Sequence, residues 1–77
     1  MPTVKRIGPH RFFFYSNEGV EPIHIHVETA ERAAKFWLKP IALAWSTGYN
    51  SKELRQLREL IQENEEEFVE NWYEHFD

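Results

Sequence analysis

The first forty residues alternate between short runs rich in β-branched and aromatic residues and clusters of turn-forming residues. Runs of this length, separated by hairpin-sized connections, are typical of antiparallel strands. The segment Ile41 to Trp45 follows Pro40 and is too short for its period to separate a fifth strand from one helical turn. We therefore expect a meander of three to five strands over about residues 4–45. The four clearer strands are Val4 to Ile7, Arg11 to Tyr15, Ile23 to Glu28 and Ala33 to Leu38.

From Ser51 onward the apolar residues recur with the period of a helix, over about residues 51–76. Asn50 and Glu53 have the spacing of a capping box, which marks the start of this helix. A helix from Ser51 to Phe76 would be roughly 39 Å long, whereas a five-residue strand spans only about 17 Å. Either the helix breaks near Asn64, or its last turns pack on a partner protein or a second copy. The apolar stripe consists of Leu54, Leu57, Ile61, Phe68, Trp72 and Phe76.

Together the two patterns predict a single α+β domain over residues 1–77, an antiparallel β-meander packed on one long C-terminal helix. Strand alternation assigns each side chain to one of the two sheet faces. Facing the helix we expect Phe12, Phe14, Ile25, Val27, Phe36 and Leu38, and we also place Trp45 in the core. The outward face combines large aromatic and basic side chains, a composition that marks an interaction surface. Its candidate binding residues are Phe13, Tyr15, Lys35, Trp37 and Lys39.

Composition narrows the class of protein. The chain has 77 residues, enough for one small core, and six Phe, three Trp and three Tyr must supply much of that core. There is no cysteine, so neither disulfides nor thiolate chemistry are available. No apolar run reaches the ~18 residues of a membrane span, and the N-terminus lacks the apolar stretch of a signal peptide. We expect a cytoplasmic protein with no membrane association.

Charge is divided unevenly along the chain. Residues 1–52 carry seven basic and four acidic residues, a balance of +3, whereas residues 53–77 carry two and nine, a balance of −7. The net charge of −4 argues against tight, sequence-blind binding to nucleic acid. RNA nevertheless stays open as a target of the mildly basic sheet. The acidic helix face is either solvated or docks a basic partner.

Two histidines on the third strand are the candidate chemistry. His24, His26 and Glu28 are two residues apart and therefore share the outward face of the strand. Polar residues in this arrangement most commonly form the solvated face of an antiparallel sheet. A second interpretation is an acid–base pair that cleaves RNA, with Lys35 or Lys39 holding the phosphate. A third is a divalent metal bound by His24 and His26 with Glu28 or His10. No cofactor is predicted, and the metal is kept as an open alternative.

The sequence also resembles the bacterial domain-of-unknown-function family 4160 over nearly its whole length. The segment Phe12 to Glu18 followed by Pro22 to Val27 is the most specific part of the resemblance. One departure is Ile23, where the family usually has a second proline. The remaining matching residues are Ile7-Gly8, Ala34 to Leu38, Pro40, Gly48-Tyr49, Glu53-Leu54 and Trp72 to Phe76.

The resemblance implies a small bacterial protein without an established activity. Members are often encoded beside a second small protein, of domain-of-unknown-function family 2442, in an arrangement like that of a toxin and its antitoxin. The functional expectation is a toxin–antitoxin component that binds a protein partner encoded nearby, with self-association and RNA as further options. Two alternatives remain: an RNA-cleaving or metal-dependent enzyme that uses His24 and His26, and a non-catalytic structural oligomer.

Overall fold

The structure is a computed structural model that describes residues 3–17 and 19–76, so Glu18 of the motif above lies outside the described residues. Over these residues the sheet has five strands, and each pairs antiparallel with the next one along the chain. This confirms the α+β class and the antiparallel meander, and the ambiguous segment after Pro40 is the fifth strand. The elements are β1 (Thr3–Ile7), β2 (His10–Phe13), β3 (His24–Thr29), β4 (Arg32–Leu38), β5 (Ile41–Thr47), α1 (Ser51–Glu63) and α2 (Glu65–Phe76).

The predicted single helix is two helices that meet at Asn64. The Asn64 side chain donates to the carbonyl of Leu60 at 2.8 Å and accepts from Lys5 Nζ at 3.1 Å. An asparagine that bonds its own backbone in this way competes with the helical pattern, which explains the break at this residue. The mismatch in length between helix and sheet is therefore relieved within the chain. In the part of the chain that the structure describes, no helix is long and apolar enough to cross a membrane.

The start of α1 is fixed by the predicted capping box. The Asn50 side chain accepts from the Glu53 backbone N–H at 2.8 Å, and the Glu53 carboxylate accepts from the Asn50 N–H at 2.9 Å. Just upstream, Gly48 has a φ of +89°, and a Cβ there would lie 2.5 Å from Arg32 Cγ. Glycine is needed at this turn both for its backbone conformation and because the Arg32 side chain passes so close.

The core lies between one sheet face and both helices. The six side chains predicted to point inward are all buried, and Phe12 contacts Phe68 of α2 with ring centroids 5.1 Å apart. Trp45, in contrast, is 45% exposed, so its placement in the core was wrong. The register of β4 and β5 skips Ala44, which sets Trp45 opposite Lys35 on the outer face. The helices contribute Leu57, Ile61, Phe68 and Trp72 to the core.

Candidate functional site

The outer face of the sheet gathers aromatic side chains from four strands or their ends. Phe13, His26, Lys35 and Trp45 are cross-strand neighbours from β2 to β5. His24 and Trp37 form the adjacent pair on β3 and β4. We use the name aromatic face for Phe13, Tyr15, His26, Trp37 and Trp45.

His26 forms the floor of the aromatic face. Its ring stacks on Phe13 at 5.3 Å with an interplanar angle of 17°, and Tyr15 meets it edge-on at 4.9 Å. The Trp45 ring lies on the β5 side of His26, with the two ring centroids 6.2 Å apart. These contacts leave His26 only 5% exposed, whereas Tyr15 and Trp45 are 43% and 45% exposed. The expectation of a solvated histidine was therefore wrong, and the exposed surface at this point is aromatic.

His24 is buried completely, so the solvated interpretation is wrong here too. Its ring lies 5.8 Å from Trp37 and 4.8 Å from Trp72 of α2, which joins the aromatic face to the core. Nδ1 lies 2.9 Å from the Pro22 carbonyl oxygen, and because that oxygen can only accept, Nδ1 carries a proton and donates it. The two imidazole rings are close to each other, with centroids 5.2 Å apart, but both are packed among aromatic rings.

Two cations of this face, Lys35 and Arg11, are held by carboxylates. Lys35 Nζ lies 2.5 Å from Glu21 Oε1 and 4.6 Å above the Trp37 ring. The Arg11 guanidinium lies 4.4 Å above Phe13 and reaches Glu28 at 3.5 Å. Glu21 was not among the predicted site residues, because it lies in the loop before Pro22, where no strand pattern indicates which way a side chain points. The two cations beside the aromatic rings are therefore paired with carboxylates, while Arg6 lies opposite Arg11 towards the β1 edge of the same face.

The residues proposed for binding and for a metal are only partly brought together. Phe13, Tyr15, Lys35 and Trp37 share the outer face, but Lys39 lies in the turn after β4 and lines a small cavity with residues of α2. Within residues 3–17 and 19–76, no three His, Cys, Asp or Glu side chains form a group that could hold a metal ion. The proposed third ligands are engaged elsewhere, since Glu28 bonds Arg11 and His10 Nδ1 lies 2.6 Å from Thr29 Oγ1.

A second polar cluster, also missed, ties the start of α1 to the sheet. Tyr49 donates to Thr29 Oγ1 at 2.8 Å, and Arg32 forms an ion pair with Glu53 while lying 5.5 Å from the Tyr49 ring. Burial, and then the Arg32 charge, lower the pKa of His10; burial raises the pKa of Tyr49. The backbone N–H of the N-cap residue lowers the pKa of Glu53. The cluster was within reach of the sequence, because Gly48-Tyr49 and Glu53 belong to the family motif.

Comparison with known proteins adds one finding. The model of the family described as domain of unknown function (DUF4160) matches residues 10–73. The chain belongs to this family. The DUF4160 match contains the whole aromatic face and the cluster around Tyr49. No curated protein matches the chain, and no solved structure does.

Proposed function

We propose that the protein is a bacterial toxin–antitoxin component that acts in the cytoplasm by binding a protein partner encoded nearby, through the aromatic face. The observation that carries this proposal is the exposure of Tyr15 and Trp45 on either side of His26. Aromatic side chains with an exposed flank and a rigid base are the usual anchors of protein interfaces. The chain belongs to DUF4160, and the toxin–antitoxin setting rests on the neighbouring gene that the resemblance to this family implies.

The charges of the aromatic face favour a protein over RNA as its immediate ligand. Lys35 and Arg11 already have the carboxylates of Glu21 and Glu28 as partners. RNA binding depends on cations that are available to neutralise phosphates, and the chain as a whole carries a charge of −4. An apolar or aromatic partner surface would instead gain from covering the exposed rings without separating these ion pairs.

The burial of the histidines also favours binding over acid–base catalysis. A catalytic histidine must come within hydrogen-bond reach of the proton it transfers. His24 is fully buried and donates to Pro22, and His26 lies beneath Tyr15 and Trp45. Their packing suits a second role, which is to hold the exposed rings rigidly in place and so to lower the entropy lost on binding.

The test is to measure complex formation with the product of the neighbouring gene. The two purified proteins are mixed, and the molar mass of the eluting species is measured by light scattering. We expect a complex whose affinity falls about tenfold or more in Tyr15→Lys, because a lysine removes a ring from the interface and adds a charge. Tyr73→Lys is the matched control, since Tyr73 is exposed on α2, outside the aromatic face.

Two results would contradict the proposal. One is that the protein never changes mass in the presence of the neighbouring product. The other is RNA cleavage by the purified protein that disappears in a folded His24→Asn, His26→Asn double variant, which would support the enzyme alternative.

A further inference from the structure

The two edges of the sheet differ in how they are protected. Edge strands expose unpaired backbone groups that pair readily with another strand, and charged residues and irregular pairing normally prevent this. The β1 edge has both devices, since it carries Lys5 and Arg6 and its pairing with β2 is irregular between Thr3 and Lys5. The β5 edge is seven residues long, Ile41–Thr47; it shares the irregular pairing, through the skip at Ala44, but has neither a charged residue nor a proline.

The β5 edge also exposes large apolar side chains on both faces of the sheet. Leu43 and Trp45 are 42% and 45% exposed. Because the register with β4 skips Ala44, Leu43 lies opposite Phe36 on the helix side and Trp45 lies opposite Lys35 on the outer side. A single edge therefore offers one apolar side chain above the sheet and one below it.

On the helix side, Leu43 borders a groove of about 320 Å³. The groove is lined by Phe36, Leu54, Arg55 and Arg58 as well as Leu43. Arg58 donates to the carbonyl of Ile41 at 3.1 Å, so that a side chain covers this end of the strand. The apolar part of the groove opens beside the strand edge, where a second apolar side chain would fit.

From these features we propose that β5 pairs antiparallel with β5 of a second copy, giving a two-fold dimer with a continuous ten-stranded sheet. β5 has no charged residue to place opposite itself in the ladder, whereas β1 would bring Lys5 and Arg6 against themselves. A two-fold axis near Ala44 brings the two Leu43 side chains together on the helix side and the two Trp45 side chains together on the outer side.

The symmetry also explains why such an assembly stops at two chains. A two-fold interface uses the same surface on both partners and closes on itself. The edges left at the ends of the ten-stranded sheet are the two β1 strands, which are protected by their charges. Both aromatic faces lie on one side of the dimer, where Tyr15 remains open to the partner protein and Trp45 borders the contact between the two copies.

The experiment is sedimentation equilibrium on the full chain alone, from about 1 µM to 1 mM. We expect a species of twice the 9.3 kDa chain mass, and a dissociation constant at least tenfold larger in Leu43→Lys and in Trp45→Lys. Tyr73→Lys, which changes an exposed ring on α2, should dimerise like the unmodified protein. Circular dichroism of each variant reports whether it is folded.

Hydrogen exchange on the unmodified protein gives a readout that does not depend on folded variants. Amides of β5 should exchange more slowly as protein concentration rises through the dissociation constant, while those of β1 should not change. A monomer at every concentration, or a dimer that withstands both β5 substitutions, would overturn the proposal. This test uses the protein without its partner and leaves Tyr15 intact, so its failure is separable from failure of the proposed function.

Discussion

Replacing His24 with alanine separates a packing role from a catalytic one. The ring is fully buried against Trp37 and Trp72 and donates to the Pro22 carbonyl. Truncation of buried aromatic residues costs about 3–5 kcal/mol, and the smaller, more polar imidazole belongs near the lower limit. We add no separate cost for the lost hydrogen bond, because Pro22 is exposed and water can replace the imidazole as donor to its carbonyl oxygen. We expect His24→Ala to lower the free energy of unfolding by about 3 kcal/mol.

The assay is urea unfolding followed by tryptophan fluorescence. A 77-residue domain has a total stability of about 4–12 kcal/mol, so the loss is large but leaves a measurable transition in most of that range. With a slope of about 1–1.5 kcal/mol/M, the midpoint should fall by about 2–3 M urea. His75→Ala is the matched control: His75 is exposed on α2 and should cost under about 1 kcal/mol. An unchanged urea midpoint in His24→Ala, together with loss of any RNA cleavage by the protein, would refute the packing role.

Three further predictions concern the polar cluster and the turns. The pKa of His10 is lowered by burial and by Arg32, so the folded chain favours neutral His10. The free energy of unfolding should therefore be highest above the His pKa of the unfolded chain, about 6.5, and fall as the pH drops towards the pKa of the folded chain. Urea unfolding at several pH values should show this loss, and His10→Gln should reduce it; an identical pH dependence in the variant would contradict the assignment. Gly48→Ala should lower the free energy of unfolding by about 2 kcal/mol, because it combines a positive φ with a clash on Arg32. Gly8→Ala also has a positive φ but meets no atom within 4 Å, so it should cost about 1 kcal/mol. Equal falls in melting temperature for the two variants would contradict a cost from the clash. Asn50→Ala should cost about 1 kcal/mol by removing half of the capping box, and a melting temperature equal to that of the unmodified protein would contradict this.

Most of the fold could be predicted from local pattern. Strand alternation assigned Phe12, Ile25 and Phe36 to the buried face, and the spacing of Asn50 and Glu53 marked the start of the first helix. These features succeed because each is decided by neighbours in sequence. The single long helix was wrong, and the alternative of a break near Asn64 is confirmed. The pattern could not decide between them because the break depends on the Asn64 side chain, which bonds both its own helix and a lysine of β1.

The candidate site was harder to predict, because alternation gives the face of a side chain but not what covers it. His24 and His26 were correctly paired on one strand, yet their burial comes from Tyr15, Trp45 and the distant Trp72. The exposure of Trp45 results from one skipped residue in the register of β5, which leaves no mark in the hydrophobic pattern. Lys39 lies past the end of β4, where the alternation that placed it on the outer face no longer applies.

The most direct test of partner binding through the aromatic face is hydroxyl-radical footprinting with the neighbouring gene product that we propose as the partner. This method reads the solvent exposure of individual side chains, and Tyr15 and Tyr73 start from similar exposures of 43% and 50%. Binding through the aromatic face predicts that the partner slows modification of Tyr15 several-fold and leaves Tyr73 unchanged. Protection of Tyr73 with Tyr15 still fully reactive would place the partner on the helices and contradict the account.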